Sequence, residues 1–379
     1  MMGDRFNFHR LAALIAKEFI QMRRDRLTFA MMLGVPIMQL ILFGYAINAD
    51  PKHLATAVYA QDHSVFTRSL LIALENSDYF EITAHPETRE EADALLAQGD
   101  AQFVIEIPAN FSRDLLRGEH PQILVDADAT DPAATGNAIS AINLLAGSVL
   151  DRDLVGPVAK LRQGDAPFSL VVHRRYNSEN HTQYNIVPGI IGVILTMTMV
   201  MFTALAMTRE IERGMMENLL TMPARPLEVM MGKIIPYIMI GYIQTALVLL
   251  AARFLFEVPM VGSLVLLSVV LLIFVAANLA VGFTFSTLAR NQLQAVQMAV
   301  FFFLPSILLS GFMFPFRGMP VWAQWLGEIL PLTHFLRIIR GILLKGNGVA
   351  DIQADTGAII VFFFAATVVA MNRYRRTLD

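Results

Sequence analysis

Two hydrophobic rhythms alternate along the chain. Long apolar runs of helical length occupy 27–47, Ile186–Met207, Lys233–Phe254, Leu264–Phe285, Ala295–Phe314 and Thr356–Met371. Runs of about 20 residues cover about 30 Å as helix, the thickness of a bilayer's hydrocarbon core. Between the first and second runs the apolar residues come in short pieces, at strand spacing or on one helical face. They predict strands at Leu54–Ala60, Tyr79–Thr83, Gln102–Ile107, Gln122–Asp126 and Ser169–Tyr176, and helices at Val65–Glu75, Glu87–Gln98, Phe111–Arg117 and Pro132–Leu161. Such alternation gives an α/β domain over 48–185. The fold class predicted is a polytopic α-helical membrane protein with six transmembrane helices and an α/β domain inserted after the first span.

A third kind of stretch, 314–346, is apolar but broken by Pro315, Pro320 and Pro331. A full crossing there would carry the arginines Arg373, Arg375 and Arg376 to the opposite side from the other basic clusters. It therefore reads as an outer re-entrant helical hairpin before the last span. Trp322 and Trp325 belong at head-group depth. His334 reads as a satisfied structural histidine, and Arg337 and Arg340, on one helical face by spacing, as anchors for lipid head groups.

Basic residues near the span ends orient the whole. The segment 1–26 is an interfacial helix ending in Arg23, Arg24 and Arg26, and basic residues recur near 209–233, at Arg290 and at the C-terminus, whereas the loop Glu257–Gly262 has none. Both termini are placed in the cytoplasm and the α/β insert outside it. Composition agrees: 55% hydrophobic and 16% charged residues, with a mean hydropathy of +0.53, are too apolar for an ordinary soluble enzyme. The net charge of −3 conceals two unlike bodies, because 49–185 holds 20 acidic and 10 basic residues and the remainder 12 acidic and 19 basic. No cysteine is present, so neither a disulfide framework nor a thiolate metal site is available.

One densely charged run lies between the long apolar ones, at 208–226. As a helix from Arg209 to Leu220 it sets Ile211, Met215, Met216, Leu219 and Leu220 against Glu210, Arg213, Gly214, Glu217 and Asn218, with Glu212 as the exception. Gly214, at the centre of the charged face, admits close approach of another backbone. The sequence REIERGMMENLLTMPARPLEVMMGKIIPY resembles the signature of the membrane subunits of type V ATP-binding-cassette (ABC) exporters, the drug and polysaccharide export permeases. SGFMFPFRGMPVWAQWLGEILPLTHFLRIIRGILLKG resembles the closing signature of the same family.

The resemblance implies that the charged helix couples the permease to a separate cytoplasmic ABC ATPase, with Arg209, Glu210, Glu212, Arg213, Gly214 and Glu217 as the docking residues. It implies a second permease chain, identical or closely related, in the inner membrane of a bacterium. ATP and Mg would be bound by the ATPase, and this chain needs no cofactor of its own. Membrane lipid is a further partner, a periplasmic adaptor is left open, and nucleic acid is not expected.

Chemistry within the chain is sparse. Gly232–Lys233 lacks the glycine spacing and the following Ser or Thr of a phosphate-binding loop, so the chain is read as no ATPase. Asp126, Asp128 and Asp131 fail calcium-loop spacing and read as a strand-to-helix turn, and the histidines lack zinc spacing. Polar residues inside spans are costly in lipid, so Gln39, Gln244, Asn278, Gln294 and Gln297 should face protein or a translocation path. No carboxylate lies deep in a predicted span, which argues against proton coupling. The expected function is ATP-driven efflux of a hydrophobic drug or lipid-like cargo. The rival is a non-transporting mechanical relay, for which the resemblance implies four spans and no outer hairpin.

Overall fold

The computed structural model describes residues 51–155, 158–159, 166–179, 181–212 and 226–374. The predicted interfacial helix 1–26 and first span 27–47 lie outside these residues, as does the charged segment after Glu212. Within the insert the order is β1 (Leu54–Ala60), α1 (Val65–Asn76), β2 (Phe80–Ala84), α2 (Arg89–Gln98), β3 (Phe103–Ile107), α3 (Phe111–Arg117), β4 (Gln122–Asp128), α4 (Pro132–Ala146) and β5 (Ser169–Arg175). The strands form one sheet ordered β2-β1-β3-β4-β5, parallel throughout except at β3–β4.

Alternation along the strands decides the layering. Phe103, Ile105 and Ile107 of β3 and Ile123 and Val125 of β4 point to a core closed by Leu70 and Leu74 of α1, Phe111 and Leu115 of α3, and Ile139 and Ile142 of α4. The opposite face is covered by α2, whose Ala92 and Leu96 pack on Ala57 and Val104. Helix starts are capped by short polar side chains: Ser64 accepts from the Thr67 amide and Thr88 from the Glu91 amide. Asp62 ties the β1–α1 turn to α3. One carboxylate oxygen accepts from the Ser64 amide and the Thr67 hydroxyl, the other from the Ser112 amide and hydroxyl. Burial pushes its pKa up, but these donors outweigh burial and hold it far below the usual carboxylate range.

The predicted helix Pro132–Leu161 is too long. It stops at Ala146, where Gly147 and Ser148 break the helix and consecutive turns bring Leu150 and Leu154 into the core instead.

The helical half contains α5 (Thr182–Glu212), α6 (Pro226–Phe254), α7 (Leu264–Leu288), α8 (Gln292–Leu309), α9 (Val321–Ile329), α10 (Pro331–Arg340) and α11 (Val349–Tyr374). A π-helical turn, Gly341–Lys345, follows α10. Among the described residues five helices are long and apolar enough to cross a membrane: 182–209, 236–254, 264–288, 292–309 and 349–371. These match the five later predicted spans in number and order. Their ends differ, because polar residues extend the helices past the apolar runs. Asn185 therefore lies within α5 rather than at the end of the insert, and Asp351 and Asp355 belong to α11.

Helix α7 is the most buried of the five. It lies close against α5 at Gly282, where a Cβ would stand 2.6 Å from the Val200 carbonyl oxygen. Phe274 of α7 stacks on Phe335 of α10, ring centroids 4.1 Å apart, and Gly192 of α5 gives that ring room. The chain leaves α8 at Ser310 and turns at Gly311, whose φ of 81° suits glycine. The predicted continuation to Phe314 thus ends five residues early.

Candidate functional site: the charged end of α5, the buried polar residues and the α9–α10 pair

Arg209, Glu210 and Glu212 do not begin a separate helix. They form the last turn of α5, continuous with the span before it, while Arg213, Gly214 and Glu217 lie outside the described residues. Arg209 is exposed. Glu212 reaches across to α8: its carboxylate accepts the Gln292 amide at 2.8 Å and the Gln292 side-chain amide at 2.6 Å. That is where a carboxylate is favoured, since the first backbone amides of α8 have no partner within the helix itself and its N-terminal dipole is positive. Asn291 caps the same helix by accepting from the Gln294 amide, and the Gln294 side chain returns the contact by accepting from the Arg290 amide at 2.8 Å. Sequence reasoning missed Gln292 and Asn291. The signal was Glu212 itself, off the pattern of an amphipathic helix because it belongs to a contact between spans.

The predicted path residues separate into different roles. Gln294 caps α8 at its first turn. Gln244 of α6 accepts from the Thr198 hydroxyl of α5 at 3.0 Å and is only half-buried, beside the exposed Ile243 and Leu247. Asn278 is fully buried in α7. Its amide nitrogen donates back to the Phe274 carbonyl at 2.9 Å, and its carbonyl oxygen has no hydrogen-bond partner among the described residues. The Gln297 oxygen in α8 is buried and likewise without one. Gln39 lies outside the described residues.

Helices α9 and α10, nine and ten residues long, are each too short to cross a bilayer. Ala323 and Gly327 of α9 face inward, and Val321, Trp322, Trp325 and Ile329 are exposed. His334 of α10 is buried with both ring nitrogens engaged: Nδ1 is 2.7 Å from an Asp355 carboxylate oxygen on α11, and Nε2 is 2.8 Å from the Glu328 carbonyl. Burial lowers its pKa, yet the Asp355 carboxylate and the Glu328 carbonyl outweigh that and raise it above the ordinary value. With an acceptor facing each ring nitrogen, the arrangement favours the imidazolium form.

The expectation that Arg340 anchors a head group is corrected by where it points, whereas Arg337 stays exposed beside its protein partners. Arg337 pairs with Glu328 and Asp355 and lies over the Phe316 ring. Arg340 turns into the protein, donating to the Gly311 carbonyl at 3.2 Å and to the Asn185 side-chain oxygen at 3.1 Å. Shared helical spacing put both on one face; neighbouring carboxylates and an open carbonyl then drew them to protein partners.

In the insert, Asp126 is held by Arg89 and by His173 Nδ1 at 3.1 Å, and Asp128 accepts from Thr130. The chain's own donors therefore take up both carboxylates.

Beside five described helices long and apolar enough to cross a membrane, two short helices between the last two and an α/β insert, the sequence matches the model described as ABC-2 family transporter protein over residues 26–371. The chain belongs to this family. In Escherichia coli K12 the probable multidrug ABC transporter permease YbhS is 30% identical over 349 residues, 90% of each chain. The probable multidrug ABC transporter permease YbhR is 26% identical over 374 residues, 97% of this chain and 99% of its own. The inner membrane transport permease YhhJ is 30% identical over 359 residues, 90% and 93% respectively. As an ABC-2 permease, this chain is a multi-pass membrane subunit that works with an ATPase.

Proposed function

We propose that the chain is the membrane-path subunit of an ATP-driven exporter in the bacterial inner membrane, with hydrophobic drug-like or lipid-like cargo. The observation that carries this reading is the Glu212–Gln292 contact. The charged end of α5 is not a slack loop but is tied to the start of α8, so force applied there by an ATPase reaches two spans together. Arg209, Glu210, Arg213, Gly214 and Glu217 then form the docking surface on the cytoplasmic side. Two chains enclose the path, and Gln244 with Thr198, half-buried amid apolar side chains, lines it. ATP and Mg belong to the ATPase.

On this reading both termini are cytoplasmic and the α/β domain is extracytoplasmic. The α9–α10 pair is re-entrant at the outer leaflet, its exposed Trp322 and Trp325 at head-group depth. Two of the E. coli relatives are named probable multidrug ABC transporter permeases, which supports drug-like cargo. Five described helices long and apolar enough to span, with the α9–α10 pair beside them, favour the exporter over the four-span plan that the resemblance implies for a mechanical relay.

The test is ATP-dependent uptake of a fluorescent hydrophobic cation into inverted membrane vesicles. Gly214→Trp is expected to abolish uptake while membrane insertion stays normal. Undiminished uptake by that variant removes the docking surface.

A further inference from the structure

The α/β domain is joined to the helices by more than its covalent exits. The π-helical turn after α10 lifts Lys345 into the domain, where Nζ donates to an Asp128 carboxylate oxygen at 2.6 Å and to the Leu96 carbonyl at 3.1 Å. The Lys345 and Asp128 side chains are 8% and 9% exposed. Beside them the Asn347 amide donates to the Ala97 carbonyl at 3.2 Å. Leu96 and Ala97 lie in the last turn of α2, where carbonyls lack helical partners and the dipole is negative, so a lysine and an amide donor both suit that end. The Tyr176 ring, in the exit from β5, stands 5.3 Å from Lys345 Nζ.

A second contact lies alongside. Asn185, in the first turn of α5, donates to the Thr130 carbonyl at 2.7 Å and accepts from Arg340 at 3.1 Å. The connection from β5 to α5 is itself closed by a reciprocal pair: the Asn177 side chain accepts from the His181 amide at 2.8 Å and donates to the His181 carbonyl at 3.0 Å. The end of α2, the end of β4 and the exit from β5 are thus pinned to the π turn, the end of α10 and the start of α5.

A buried ion pair is a poor source of stability but is hard to open, because separating it leaves an uncompensated buried charge. We propose that Lys345 is a positioning residue for transport. Through Asp128 and the end of α2 it holds the α/β domain and the α9–α10 pair as one rigid body, so that a displacement of α10 during the ATP cycle turns the domain with it. This rests on the exporter reading.

The experiment uses the absence of cysteine in the chain. Ala97→Cys with Asn347→Cys gives up the Asn347 amide contact but keeps the Lys345–Asp128 pair; this variant, in the complex with its ATPase and with its transport before treatment as the baseline, is treated with a short bis-thiol cross-linker. Equal cross-linking rates in nucleotide-free and ATP-trapped states, with transport retained after cross-linking, are expected. A marked fall in rate in the ATP-trapped state, or loss of transport on cross-linking, overturns the rigid joint. Lys345→Met is expected to lower substrate moved per ATP about tenfold while hydrolysis continues, and Lys345→Arg to restore most of it. A Lys345→Met complex as well coupled as wild type also overturns the role. If unmodified complex hydrolyses ATP but moves no substrate, the exporter reading fails by itself, and the two cross-linking rates still decide the joint.

Discussion

Asp62 shows what a single buried carboxylate does in the α/β domain. Four donors from two separate segments converge on its two oxygens. Its pKa is depressed, so its contribution to stability is present above the unfolded value and is lost only as pH falls through the depressed folded value. Asp62→Ala strands these donors at a nearly buried site and should cost about 3 kcal/mol. Amide hydrogen exchange along β1, α1 and α3 should accelerate together; unchanged protection would contradict the assignment.

His334 has the opposite sign. Its folded pKa is raised, so its contribution is full below the unfolded value of about 6.5 and is lost as pH rises through the raised folded value. The imidazole resonances of His334 should titrate with a midpoint above that of a free histidine, and α10 should loosen on the alkaline side. A midpoint below the free value would contradict the imidazolium.

At this scale the sequence was least legible. The pattern placed Arg337 and Arg340 on one face but could not show that Arg340 turns inward to Asn185, 155 positions earlier. Nor could it pair Lys345 with Asp128 across 217 positions. Such partners are set by topology, not by local spacing.

Helices and strands follow the hydrophobic rhythm closely, because burial of an alternating or helical face is the same force that forms the element. Their ends follow it less well. Apolar content stops where lipid or core stops, whereas a helix continues while its backbone bonds are satisfied. For this reason α5 runs on through Glu212 and α11 begins at Val349. The shortened α4 is the converse, a favourable pattern interrupted by Gly147. Close helix contact is also an element-scale property. Gly282→Leu drives a side chain into the Val200 carbonyl and should destabilise the α5–α7 pair by about 2 kcal/mol or more. Thermal unfolding of the purified chain in detergent should shift down by several degrees; an unchanged transition would mean that α5 and α7 separate easily.

For the whole molecule, charge and hydropathy divide the chain into an acidic insert and a basic, apolar remainder, and the structure forms two bodies on those lines. The broken segment 314–346 provides the link that the division does not reveal. It carries α9 and α10, the His334–Asp355 contact to α11 and the Lys345 contact to the insert. In the proposed exporter, force passes from the charged end of α5 to α8 and from α10 to the α/β domain.

The most direct test of the central claim is ATP hydrolysis by the chain purified with its ATPase, measured over hydrophobic cations, lipids and peptides in wild type and Arg213→Glu. The account predicts stimulation by a hydrophobic cation or lipid, with that stimulation lost in the variant. Equal stimulation in the variant, or no ATPase co-purifying under mild conditions, would contradict it.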